Sequence, residues 1–106
     1  ALAVTDYIIE DDQLKIMLAI ENYLDSSIQI NPHNLRLVDQ QGNTHEVDKK
    51  GMEFYEYLGK KCLKKTQLDH TKSYIDGIVI FSIPTNIRID YLCYMINDEE
   101  ITRKYF

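Results

Sequence analysis

The chain has 106 residues, of which 44% are hydrophobic and 27% charged, a balance typical of one soluble globular domain with its own core. The formal net charge of −5 repels phosphate backbones, so the sequence argues against nucleic acid as a partner. No apolar run approaches the roughly 18 residues that a membrane-spanning helix needs, which argues against membrane insertion within this segment. The chain begins Ala-Leu-Ala without an initiator Met, which indicates a processed or truncated piece of a longer precursor.

Two strands are predicted at the start of the chain. Leu2 to Glu10 alternates loosely between apolar and polar residues and then enters an acidic turn. Gln13 to Asn22 alternates strictly, with a period of two rather than 3.6. One face of this second strand carries Leu14, Ile16, Leu18 and Ile20, and the other carries Gln13, Lys15, Met17, Ala19 and Glu21. The pattern predicts an antiparallel sheet with one buried face and one mostly exposed face.

The third predicted strand is interrupted. Residues Asn22 to Ser27 are rich in side chains that bond their own backbone, so we expect the chain to reverse there. The alternating pattern then resumes from Ile28 to Leu37, but Pro32 lies inside it and has no N–H to donate to a sheet. We therefore expect an edge strand or a bulge at Pro32.

A hairpin is predicted next. Residues Asp39 to Asn43 have the composition of a tight turn, and Gly42 can adopt a positive φ. Thr44 to Asp48 follows as a short strand that pairs back on the preceding one.

Residues Lys49 to Ser73 form a long connection in which the strand pattern is lost. Their apolar and aromatic side chains fit either a helical turn or a short irregular strand, and the sequence does not decide between the two. Because a structureless connection of this length is unusual in a compact domain, we expect a small element that covers an open end of the sandwich.

The central strand is predicted from Tyr74 to Pro84. The run Ile78 to Phe81 has no long polar side chain, so we expect both of its faces to be covered, and Gly77 would allow close approach of another backbone segment. Two further strands, Ile87 to Ile96 and Glu100 to Phe106, complete the chain. The pattern predicts an all-β fold, an immunoglobulin-like antiparallel β-sandwich of about seven strands, as one domain over residues 1–106.

Three motifs in this order resemble a known family. They are the alternating strand that ends in Asn22, the hairpin Asp39-Gln40-Gln41-Gly42, and the strand motif Gly77-x-x-x-Phe81-x-x-Pro84. The chain resembles the immunoglobulin-like domains of unknown function in secreted proteins and lipoproteins of Gram-positive bacteria, whose fold is related to the mycobacterial immunogenic secreted proteins. The resemblance implies an exported protein, located extracellularly or at the cell surface, and it implies no catalytic residues.

The two cysteines leave two alternatives. Cys62 and Cys93 are a candidate disulfide that would close a loop of about 32 residues and stabilise the fold by about 3 to 4 kcal/mol. An oxidising compartment would favour that bridge. The other alternative is two unpaired thiols, one of them buried as a small apolar side chain.

No motif in the sequence predicts an enzyme or a cofactor. The histidines His33, His45 and His70 share no metal-ligand spacing, and neither a nucleophile motif nor a calcium-binding loop is present. The alternative to a binding domain is a small metal-handling sandwich, in which copper or zinc would be held by His70 with Cys62 or a Met.

The candidate binding residues are aromatic. The chain contains eight tyrosines, and Phe54, Tyr55 and Tyr57 lie together in the long connection. Tyrosine is enriched at protein interfaces because it combines a broad rigid ring with a polar tip, although the same residues could instead cover the core. The sequence therefore favours a non-enzymatic binding or spacer domain that contacts another protein through Phe54, Tyr55 and Tyr57.

Overall fold

The computed structural model describes residues 2–10, 12–23, 25–69, 73–84 and 86–106. These residues form an all-β fold with one α-helix and a short 3₁₀ turn at Pro32–Asn34. The elements are β1 (Leu2–Glu10), β2 (Gln13–Asn22), β3 (Ile28–Ile30), β4 (Leu35–Asp39), β5 (Thr44–Glu46), α1 (Lys49–Tyr57), β6 (Thr66–Leu68), β7 (Ser73–Ser82), β8 (Ile89–Ile96) and β9 (Glu99–Tyr105).

Two antiparallel sheets enclose the core. One sheet has the order β1-β2-β7, the other has the order β5-β4-β8-β9, and β3 and β6 form a separate pair. The apolar face of β2 is buried as its alternation predicts, and it belongs to the same cluster as Leu35, Leu37 and Leu92 of the second sheet. The predicted β-sandwich is therefore confirmed.

The described residues contain nine strands, and the predicted number of about seven is wrong. The predicted interrupted strand is in fact two strands, because the 3₁₀ turn that begins at Pro32 separates β3 from β4. β3 pairs with β6, whereas β4 pairs with β5 and β8, so the chain changes sheets at this turn. The other additional strand is β6, which lies inside the long connection.

β2 is the middle strand of the β1-β2-β7 sheet, and β7, which the sequence predicts as the central strand, has bonded neighbours along both of its edges. β2 pairs along one edge of β7, and the segments on either side of α1 bond to the other edge. The Asp48 N–H donates to the Ile80 carbonyl at 2.8 Å, and the Leu63 N–H donates to the Ile78 carbonyl at 2.9 Å. Gly77 allows this arrangement, because a Cβ added there would lie 2.5 Å from the Leu63 nitrogen.

The helix α1 resolves the alternatives that the sequence left open for the long connection. It begins at the N-cap Asp48, whose carboxylate accepts a hydrogen bond from the Gly51 N–H at 3.0 Å. Gly51 lies against the sheet, since a Cβ there would be 3.3 Å from Ile80 Cγ2. α1 therefore covers part of the outer face of the β1-β2-β7 sheet, and its other side lines a cavity with Pro32 and His33.

The strand that ends in Asn22 and the hairpin that begins at Asp39 each contain a buried polar side chain. Each of these side chains forms hydrogen bonds to the backbone of an adjacent loop. Asn22 Nδ2 donates to the Asp69 carbonyl at 2.7 Å and to the Ser26 carbonyl at 3.1 Å. Asp39 Oδ1 accepts from the backbone N–H groups of Gln41 and Asn43, and Asp39 Oδ2 lies 2.9 Å from His45 Nε2. Gly42 has the expected positive φ, at 85°.

The candidate disulfide is not formed, because Cys62 and Cys93 are both free buried thiols. Cys62 belongs to the main apolar cluster. Cys93 alternates along β8 with the core residues Leu92 and Tyr94, so its side chain lies on the opposite face of that strand. The second sheet therefore separates the two thiols, and the alternative of two unpaired cysteines describes this structure.

Candidate protein-binding surface

The outer face of the β1-β2-β7 sheet is only partly covered by α1. Ile80 of β7 is fully buried beneath the helix, whereas Ile8 of β1 and Met17 of β2 are 51% and 42% exposed. Between the helix and β1 lies a groove of about 210 Å³, whose lining includes Ile8, Lys15, Met17, Tyr55 and Ile78. We call these five residues the outer groove, and they form a mainly apolar surface open to solvent.

The three predicted aromatic residues have different positions on α1. Tyr55 faces the sheet, is half-buried and lines the outer groove. Phe54 is exposed and its ring centroid lies 6.4 Å from that of Tyr55, so it extends the apolar surface. Tyr57 is 85% exposed and does not line the groove. The structure thus brings Phe54 and Tyr55 together with the groove and leaves Tyr57 outside it.

A partly buried cation, Lys15, lies at the groove. The Lys15 ammonium lies 4.8 Å from the centre of the Tyr55 ring and 3.1 Å from Glu10 Oε2. The interaction with the Tyr55 side chain, and after it the hydrogen bond to Glu10, raise the pKa of Lys15. Lys15 therefore stays charged at neutral pH and holds the Tyr55 ring at the edge of the groove.

Sequence reasoning did not single out Ile8 and Met17. The sequence contained one indication, because Met17 is a large apolar residue on the otherwise polar face of β2. The structure adds that Ile8 pairs with Lys15 of the same face. Recognising the pair requires the register between β1 and β2, because alternation along one strand does not show which neighbours lie beside it.

Among the described residues, no group of three His, Cys, Asp or Glu side chains could hold a metal ion. His33 and Cys62 do line one cavity of about 350 Å³. Burial raises the pKa of the Cys62 thiol, which opposes the thiolate form that binds metal. His70, which the metal-handling alternative requires, lies outside the described residues.

Comparison of the chain with family models, curated proteins and solved structures finds no match in any of the three. Within the described ranges, no helix is long and apolar enough to cross a membrane. The outer groove therefore has to be interpreted from its own chemistry.

Proposed function

We propose that this chain is a non-enzymatic binding domain of an exported protein, and that it contacts another protein through the outer groove and Phe54. The observation that carries the proposal is the continuity of exposed apolar side chains from β1 across β2 to α1. Single exposed apolar residues are ordinary, whereas a connected apolar surface is costly in water and is typical of interaction sites.

The construction of the surface supports a binding role over a purely spacer role. Its residues project from three strands and from a helix whose flanking segments bond to β7, so we expect the surface to be largely preformed before any partner arrives. A preformed surface loses little conformational entropy on binding, and the Tyr55 ring is already held by Lys15.

The test is a selection of binders from a library of displayed proteins and peptides, followed by affinity measurements on two matched variants. Ile8→Glu places a charge in the outer groove. Ile101→Glu makes the same change at a similarly exposed residue of β9, which belongs to the other sheet. Because both isoleucines are about half exposed, both variants should fold, and thermal melts will check this.

We expect most selected binders to lose at least about tenfold in affinity for Ile8→Glu, because an unpaired charge would be buried on binding, and to bind Ile101→Glu normally. Binders that are insensitive to Ile8→Glu, or a selection that yields no binders, would contradict the proposal.

A further inference from the structure

The strand β1 is an open edge beside the outer groove. It is the outermost strand of its sheet and pairs only with β2 among the described strands. Edge strands are commonly protected by Lys, Pro, other charges or bulges; Leu2–Glu10 has no Lys or Pro, and its protection consists of Asp6, Glu10 and one bulge. A bulge between Val4 and Asp6 interrupts the first half, so the regular part of the edge is Asp6 to Glu10.

The backbone of Tyr7 points outward along this edge. Its N–H donates to the carboxylate of Asp6 at 2.8 Å rather than to β2. Backbone groups of neighbouring residues alternate in direction along a strand, so Ile9 presents its N–H and carbonyl on the same side as Tyr7. An extended segment could therefore bond to Tyr7 and Ile9 as a fourth strand.

The side chains beside this edge specify a charge pattern. Asp6 and Ile8 pair with Met17 and Lys15 of the outer face, so Asp6, Ile8 and Glu10 form one row on that face. Along this row the residues are acidic, apolar and acidic. Lys15 is the cation of β2 that lies next to the row, and its ammonium already pairs with the carboxylate of Glu10. A complementary strand would carry basic, apolar and basic residues at alternate positions.

The same row disfavours a second copy of this chain as the occupant. If two β1 strands paired antiparallel about Ile8, Asp6 of each would lie opposite Glu10 of the other. Like charges directly opposite each other destabilise a strand pair. Charge complementarity thus favours a different, basic segment.

We propose that the β1 edge binds an extended segment of a partner protein with the pattern basic-x-apolar-x-basic, which adds to the sheet as a strand. This deepens the proposed function and rests on it. A carbonyl of the incoming strand replaces Asp6 as acceptor for the Tyr7 N–H, and the released Asp6 carboxylate pairs with a basic side chain of the segment. The apolar residue packs beside Ile8 at the mouth of the outer groove.

The experiment uses three end-blocked peptides, titrated into isotope-labelled protein and followed by amide chemical shifts. The first is Ser-Lys-Thr-Ile-Thr-Lys-Ser, and the second replaces both Lys by Glu. The third keeps every side chain but is N-methylated at both Thr residues, which lie opposite Tyr7 and Ile9 in the proposed pairing. We expect the first peptide to shift the Tyr7 and Ile9 amides and to bind at least about fivefold more tightly than the second, with no binding of the third.

Two variants test the charge pairing. Asp6→Lys leaves one basic and one acidic residue in the row, so it should abolish the preference for the Lys peptide over the Glu peptide. Glu99→Lys makes the same change in charge on exposed β9 and should leave the preference intact.

Equal binding of the Lys and Glu peptides, binding of the N-methylated peptide, or the absence of shifts in β1 would overturn the strand-addition proposal. These outcomes are distinct from failure of the proposed function, which is judged by whether selected binders of any sequence depend on Ile8. Binders that depend on Ile8 but do not pair with β1 would retain the binding function and exclude this mode.

Discussion

At the scale of single residues, the buried carboxylate of Asp39 gives the fold an acid-sensitive point. The hydrogen bond from His45 is the largest cause that lowers the pKa of Asp39, followed in the same direction by the backbone N–H groups of Asn43 and Gln41. A carboxyl whose pKa is lower in the folded state stabilises the fold above its unfolded pKa of about 3.9. This contribution is lost as the pH falls through the folded pKa.

We therefore expect Asp39→Asn to lower the melting temperature at pH 7, where the native carboxylate is charged and fully bonded. The difference from the parent protein should shrink below about pH 4, as the parent itself loses the charge. Circular dichroism melts between pH 2 and 7 measure this, with exposed Asp98→Asn as the control. A difference in melting temperature that is the same at every pH would contradict the assignment.

At the scale of elements, one face of α1 packs against the β1-β2-β7 sheet and the opposite face is exposed to solvent. We expect Tyr55→Ser to cost about 1 to 2 kcal/mol of unfolding free energy, since it removes a half-buried ring and the cation–π contact with Lys15. Tyr57→Ser should change stability by less than about 0.5 kcal/mol, because that side chain is almost fully exposed. Chemical denaturation of the two variants provides the measurement, and equal losses would contradict this orientation of the helix.

The elements also show what sequence patterns can predict. The strict alternation of β2 predicts both its type and its buried face, because the period of a strand is a property of the strand alone. α1 has only nine residues, and its apolar positions are few, so its periodicity is too short to separate a helix from a strand. The division between β3 and β4 depends on pairing with β6 and β8, which are distant along the chain.

The sequence likewise predicted only part of the candidate surface. Phe54 and Tyr55 are conspicuous in composition; Tyr55 lines the outer groove and Phe54 lies beside Tyr55. Ile8 and Met17 join them only through the β1–β2 register and the placement of α1 on the outer face. A surface assembled from four elements cannot be found from residue type alone, because its continuity is set by packing between those elements.

At the scale of the whole molecule, the fold is held together without a covalent link between Cys62 and Cys93 among the described residues. Both thiols are only 4% exposed, and burial raises the pKa of each. We expect a thiol reagent to label neither cysteine in the native protein at pH 7 and both after denaturation without a reductant. Intact mass spectrometry counts the labels, and a denatured protein that stays unlabelled would instead indicate a bridge.

The attachment of both sides of α1 to β7 has a consequence for the variability of this fold. Asp48 bonds to Ile80 and Leu63 bonds to Ile78, so the insert between them leaves and rejoins the sheet at points about 7 Å apart along one strand. That separation is set by β7 and not by the intervening sequence. Related chains could therefore exchange the helix for a loop of another length or composition, and so acquire different recognition surfaces while the sandwich beneath stays the same.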